Sequence, residues 1–280
     1  EVFDNLAPKM HGKEVTIHAN DICEISNKEN KNTTMVCKLF GVIKVKEVYI
    51  QVVPEKTVVP SGLPIGIYVE TDGVLAIGTG HVTGADGIEK EPAANLIKSG
   101  DYICAVNGEE IETKEQLVDK VNQYGADKVD LYVRRNEEYF DVFVTPVLSN
   151  EGDYKIGVWV RDDLAGIGTM TCFSNDLSYV ALGHGVNDAD TSSLLEMKEG
   201  SLYQTTIVDI VKGENGTPGE LTGVINYRGE YCLGSVTSNT EVGIAGKLDE
   251  IPAQMREISG IPVGLKQEIQ TGEAQIICDF

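Results

Sequence analysis

From residue 149 onward helix signals almost vanish, and short apolar, β-branched runs recur with glycines between them: "YKIGVWVRD", "GIGTMTCF", "SYVALGHGV", "YQTTIVDIV", "VINYRGEYCLGSV", "EVGIAGKL", "IPVGLKQEI" and "AQIIC". Many short strands at this spacing, joined by glycine turns, predict a barrel or sandwich. Within it, "GIGTMTCFSNDLSYVALGHGV" reads as a hairpin with "SNDLS" as the turn. Pairing outward from that turn sets Cys172 near Val180 and Gly168 near His184. His184 then stands at the open end of the hairpin, away from Cys172.

A chain of 280 residues exceeds one average domain, so two or three units are expected. Residues 1–58 alternate apolar and polar positions in "EVTIHA" and "KVKEVYIQVVP", the pattern of a small N-terminal β unit. The proline-rich "PEKTVVPSGLP" reads as a hinge. Residues 61–148 mix strands with two short helices. Asn107-Gly108 is a tight-turn signal, and Thr113 with Gln116 forms a capping box before a helix whose buried stripe is Leu117, Val118 and Val121. "DLYVRRNEEYFDVFV" alternates on both arms, as a hairpin does. The expected fold class is therefore mainly β, with an α+β unit in the middle.

The balance of 23 basic against 44 acidic residues gives a formal charge of -21, and no basic run is interleaved with aromatics. A nucleic-acid surface is excluded on those grounds, and anionic membrane surfaces are disfavoured. No stretch reaches the roughly 18 apolar residues of a membrane span, and no charged-then-apolar leader opens the sequence, so a membrane link would need a segment outside these residues. The six cysteines are scattered singly, most of them inside apolar strand-like runs, which reads as small buried hydrophobes, with pairing left open. No metal is expected, because His11, His18, His81 and His184 lack ligand spacing, and no cofactor signature is present.

His184, flanked by glycines just past a strand end, has the accessibility and near-neutral pKa that general-base work needs. The alternative is an ordinary hydrogen-bonded loop histidine. Asp188 and Asp190 follow closely and either orient the ring or cap a turn. Ser235 has a glycine before it but not after it, and Ser192 and Ser193 read as turn residues. A cysteine peptidase pairing His184 with Cys232 or Cys278 keeps every component in the chain, but neither cysteine has the helix-start or basic setting that lowers a thiol pKa.

Two resemblances add to this reading. Residues 61–148 resemble a PDZ domain of the bacterial protease type, through "PIGIYV" and "GDYICAVNGEEI". The resemblance implies that Ile65, Gly66 and Ile67 supply backbone N–H groups to a peptide's terminal carboxylate while the adjoining strand takes the peptide as an added strand. The chain as a whole is similar to the peptidase family of stage IV sporulation protein B of endospore-forming bacteria. That similarity is carried by "VVPEK", "VPSGLPIGI", "GIGTMTCF", "ALGHGVNDADT", "KGENGTPGEL" and "NTEVGIAGKL".

The family resemblance implies a PDZ domain joined to a chymotrypsin-like serine endopeptidase, here residues 149–280, with His184 as the catalytic histidine. It implies export from the forespore into the space between its two membranes, and cleavage there of a membrane-bound regulator of sigma factor processing. The family's aspartate and its Gly-x-Ser-Gly-x-Pro-like nucleophile loop have no match before "AQIICDF". The chain by itself is accordingly expected to be an incomplete, inactive peptidase. The alternative is a noncatalytic PDZ-type peptide-binding protein.

Overall fold

The computed structural model describes residues 33–39, 42–50, 54–265 and 269–278. Chain contacts divide it into two units, Glu1–Lys56 and Thr57–Phe280. In the first, strands β1 (Thr33–Leu39) and β2 (Ile43–Ile50) pair as an antiparallel hairpin with a bulge between Cys37 and Lys38. The strand expected at "EVTIHA", together with Cys23, His11 and His18, lies outside the described residues.

The second unit opens with β3 (Thr57–Pro60) and the long β4 (Pro64–Thr79), followed by a short β5 (Val82–Thr83) and β6 (Glu89–Lys90) pair. Then come β7 (Tyr102–Val106), β8 (Glu109–Glu110), helix α1 (Lys114–Tyr124), β9 (Val129–Arg135) and β10 (Glu138–Val144). Short strands β11 (Val147–Leu148) and β12 (Tyr154–Lys155) pair with each other and lead into β13 (Val158–Phe173) and β14 (Ser178–Ala181). The chain closes with β15 (Met197–Val211), β16 (Glu220–Ile225), β17 (Cys232–Thr240), β18 (Gly243–Leu248) and β19 (Ile261–Pro262).

Six of these strands close a ring, each antiparallel to the next: β4 to β13, β13 to β14, β14 to β18, β18 to β17, β17 to β15, and β15 back to β4. Closure removes sheet edges wherever the ladders run. The interior is filled by alternate residues such as Ile65, Ile67, Val69, Met170, Leu202 and Ile244. The barrel predicted for the glycine-rich region is thus present, but its first strand is the N-terminal half of β4, upstream of the residues expected to supply it. A second core packs Ile103, Leu117, Val121, Leu131, Val133 and Ile156 around α1.

This unit sits between the first two barrel strands, and β4 serves both cores. A bulge at Asp72-Gly73, with Gly73 at φ +94°, lets the strand pass from one interior to the other. Arg134 clamps the bulge, giving hydrogen bonds to the Asp72 carboxylate at 2.6 Å and carbonyl at 2.8 Å and reaching Glu196 at 2.8 Å.

Several sequence expectations change here. The proline-rich hinge ends at Lys56, because Val59 and Ser61 to Leu63 are buried and the Ser61 and Gly62 amides bond to the Thr171 and Met170 carbonyls. The boundaries 61–148 and 149–280 shift, because Ser61–Val69 belong to the barrel and Ile156–Val160 to the second core. Only one of the two helices forms in the middle unit. At "PAANLIKSG" a single helical turn is broken by Asn95 in the left-handed region at φ 61°. The capping box of α1 is present, with Leu117 and Val121 buried, but Val118 is 52 % exposed. Of the last two predicted strands only Ile261–Pro262 forms, against β3, and Ala274–Cys278 takes no strand conformation.

On the barrel's outer face Glu70 lies directly between Asp163 on β13 and Glu199 on β15. Burial, reinforced by the Glu199 carboxylate, raises the Glu70 carboxyl above the ordinary range. A carboxyl that holds its proton more tightly when folded favours the fold below its unfolded pKa, and that advantage is lost as pH rises through the folded value. Glu70→Gln is expected to raise Tm at neutral pH and flatten its fall between pH ~4 and ~7. Thermal melts across that range check it, and an unchanged slope counts against the assignment.

Candidate functional site

The hairpin that carries His184 forms around the predicted turn, but a register shift between Met170 and Cys172 and the end of β14 at Ala181 mean that the expected pairing of Gly168 with His184 does not form. Cys172 pairs with Val180, and the Ser174 amide bonds across the turn to the Ser178 carbonyl at 2.8 Å. After Ala181 the backbone leaves the sheet at Leu182, which takes a positive φ of 64°. A branched side chain in that region costs about 1–3 kcal/mol. Two hydrogen bonds of 3.0 Å hold the kink, from the Leu182 amide to the Thr169 carbonyl and from the Thr171 hydroxyl to the Leu182 carbonyl. The kink lifts Gly183-His184-Gly185 onto the rim of a groove of about 1040 Å³ between β13 and β16.

His184 is exposed, and its Nδ1 lies 2.9 Å from the Gly185 carbonyl oxygen. A carbonyl only accepts, so this contact places the ring proton on Nδ1 and leaves the Nε2 lone pair free. Nε2 has no partner among the described residues. This is the tautomer a general base requires.

The flanking loop is braced from both sides. The Asn239 side chain accepts from the Val186 amide at 2.9 Å and donates to the Val186 and Leu195 carbonyls at 2.8 and 3.0 Å. Asp188 is buried and ion-paired to Arg161, and its other oxygen accepts from the Asp190 and Thr191 amides at 3.0 and 2.9 Å. Of the two readings of Asp188, the turn cap is therefore the one observed, and neither oxygen is left for the imidazole. Asp190 pairs with Arg161 at 2.9 Å.

The two glycines differ. A Cβ on Gly185 would come within 2.6 Å of the Thr240 carbonyl oxygen, whereas one on Gly183 would meet nothing within 4 Å. Asn239→Ala leaves the Val186 amide and the Leu195 carbonyl without partners, while the Val186 carbonyl keeps the Leu195 amide, and is expected to destabilise by about 1–3 kcal/mol for those that stay dry. Amide exchange at Val186 should accelerate well beyond the global change, and if it tracks global unfolding alone, Asn239 is not holding this loop.

The other candidates lie elsewhere. Ser235 is in mid-strand on β17, opposite Ser201 and Lys247, and its carbonyl accepts from the Tyr179 hydroxyl at 3.0 Å. Ser192 is in a turn at φ 56°. Cys104, Cys172, Cys232 and Cys278 are free, and burial pushes the Cys104 and Cys172 thiols up. Cys278 is exposed, so the small-buried-hydrophobe reading does not extend to it. Among the described residues neither serine nor cysteine lines the groove, where the hydroxyls are those of Thr169, Thr171 and Thr222.

Ile65, Gly66 and Ile67 cannot receive a peptide strand. They sit in the centre of the sheet, paired to Gly168, Ile167 and Gly166 on one side and to Gln204, Tyr203 and Leu202 on the other. A Cβ on Gly66 would meet the Ile225 side chain at 2.5 Å, which is why glycine stands there. The sequence holds a second copy of the pattern, Ile156-Gly157-Val158-Trp159-Val160, and this copy lies against α1. Between them runs a groove of about 330 Å³ lined by Val118, Val121, Ile156, Val158 and Trp159. Gly157 has φ +70°, and a Cβ there would meet the Gly80 carbonyl oxygen at 2.6 Å. His81 Nε2, 3.2 Å from Glu91, lies at this groove. Sequence reasoning passed over the second copy, and also Arg161 and Asn239; the signal was a charged pair, Arg161-Asp162, embedded in a strand run.

Residues 152–280 match the family model described as SpoIVB peptidase S55. The matched segment holds five of the six barrel strands and His184. Among solved structures, the PDZ domain of the SdrC-like protein from Listeria monocytogenes is 19% identical, covering 32% of this chain and 87% of that one at a TM-score of 0.26. The Listeria innocua counterpart is 16% identical, covering 30% and 93% at 0.24. A solution structure of GtR34C from Geobacillus thermodenitrificans is 23% identical, covering 30% and 97% at 0.23. No curated protein matches the chain.

Proposed function

We propose, from the premise that residues 152–280 form a SpoIVB-like peptidase region, that the protein is a PDZ-containing serine endopeptidase in which His184 is the general base. One observation carries this reading. An accessible histidine with its Nε2 lone pair free stands on the rim of a groove, on a loop held by Asn239 and Asp188. Nε2 would take the proton of a serine hydroxyl as its oxygen bonds to the scissile carbonyl carbon. It would then give that proton to the departing amine as the C–N bond breaks, and water would release the acyl group by the same exchange. The family resemblance puts that serine in a glycine-flanked loop outside these residues. By the same resemblance the substrate is a membrane-bound regulator of sigma factor processing, met between the two forespore membranes.

Peptide recognition belongs to the α1 groove, where the segment Ile156–Val160, a strand from Val158 onward, presents one edge to β4 and the other toward the helix. A peptide end would add to that edge and drop a side chain between Val118 and Val121. Val118→Asp, at an exposed position that should tolerate it, is expected to weaken binding of C-terminal heptapeptides ~10-fold or more. Fluorescence anisotropy with a labelled heptapeptide library reads this, and equal binding by the variant removes the assignment.

The decisive test of the peptidase reading is labelling by a fluorophosphonate probe of the protein translated from the whole reading frame. Stoichiometric labelling of one serine, abolished by His184→Ala, is the expected result. Labelling that ignores His184, or none at all, leaves the peptide-binding protein as the better account.

A further inference from the structure

β13 pairs with β4 along one edge from Val158 to Thr169. On its other edge β14 pairs only from Met170 onward, and the hydrogen bond from Leu182 to Thr169 is the last rung. From Asp163 to Gly168 no strand covers that edge among the described residues. Residues of an antiparallel ladder turn their amide and carbonyl alternately to one neighbour and the other. Met170 donates to the Leu63 carbonyl on the β4 side, so Gly168, Gly166 and Leu164 face β4 as well. Ala165 and Ile167 therefore direct their N–H and C=O groups outward, into the groove that His184 borders.

Natural proteins blunt open edges with lysine, proline or bulges, and Leu164–Gly168, "LAGIG", carries none of these. Gly166 adds an independent observation. Its φ is ordinary, and a Cβ would meet nothing within 4 Å, so neither backbone conformation nor internal packing requires glycine there. Gly183, across the groove beside His184, shares both properties. Two glycines without an internal reason face the same space as the unpaired backbone.

We propose that an extended segment of a substrate protein adds to β13 as a further strand, bonded to the main chain of Ala165 and Ile167 and running past His184, with Gly166 and Gly183 kept bare to admit it. The partner is defined by chemistry: an unfolded, strand-competent chain offering backbone donors and acceptors, with no side-chain charge demanded by the lining of this edge. This rests on the peptidase reading for what happens next, but binding is separable from cleavage.

The test uses reduced, carboxymethylated α-lactalbumin as the unfolded probe and the His184→Ala chain, so that any probe stays intact. Hydrogen exchange of the Ala165 and Ile167 amides, within residues 163–168, is expected to slow ~10-fold or more on saturation. Gly166→Val, which puts a strand-favouring side chain into open space, is expected to weaken binding ~10-fold or more with Tm unchanged. Gly166→Ala serves should the valine variant misfold, with a smaller loss in the same direction.

Protection confined to residues 156–160, equal binding by the glycine variants, or a dimer sealed through residues 163–168 that the probe cannot displace would each overturn the proposal. Protection at 163–168 without cleavage by the protein of the whole reading frame would retain strand addition and remove the peptidase reading. Cleavage without that protection would do the reverse.

Discussion

Replacing His184 by alanine in the protein of the whole reading frame is expected to lower kcat/KM by ~10⁴-fold or more, mainly through kcat. The size follows from the role proposed for His184. Without the base, the serine hydroxyl must lose its proton to water, while the substrate contacts that set KM are untouched. The cost to the fold should stay within about 0.5 kcal/mol, because the ring is exposed and its one hydrogen bond is to the neighbouring Gly185 carbonyl. Steady-state cleavage together with a thermal melt separates the two effects. A variant within ~10-fold of the parent in kcat/KM would mean that His184 is a loop residue and that the groove serves binding alone.

The largest stability effect is expected for Leu202→Ala. Leu202 is fully buried, stands opposite Ile67 on β4 and Gly234 on β17, and fills the barrel where the first strand meets the strands that follow. Gly234 brings no side chain to this layer, and the removed volume would remain as a void. The expected loss is about 2–5 kcal/mol. Because β4 runs through both cores, residues 57–280 should unfold in one transition, and the variant should shift it as a whole. Denaturant unfolding followed at Trp159, which lies in the α1 unit, and by far-ultraviolet dichroism tests this. Two separated transitions, with only one displaced, would show that the barrel and the α1 unit are independent.

Much of the site was legible in the sequence because its determinants are local. The turn "SNDLS" sets the pairing of Cys172 with Val180 and so keeps His184 away from Cys172, whereas the bulge at Met170-Cys172 and the kink at Leu182 were not legible. The capping box at Thr113 and the Asn107-Gly108 turn form as read, since each depends on atoms within a few residues. Val118 was misplaced because helical spacing defines a face, while its burial depends on whether anything covers the groove beyond it. The bracing by Asn239 and Arg161 was not legible, because their partners stand 53 and 27 residues away.

The two Ile-Gly patterns mark the limit most sharply. By itself the sequence determined a mainly β chain, a glycine-rich barrel region, one well-capped helix, and a histidine presented between two glycines at a hairpin's open end. It could not say which copy of the pattern faces a ligand, because both have the same alternation and the same glycine. Only the tertiary structure decided that Ile65–Ile67 would be enclosed between two strands while Ile156–Val158 lies beside α1. The physical reason is that a strand carries equal hydrogen-bonding capacity on both edges, and whether an edge is taken depends on segments more than a hundred residues away.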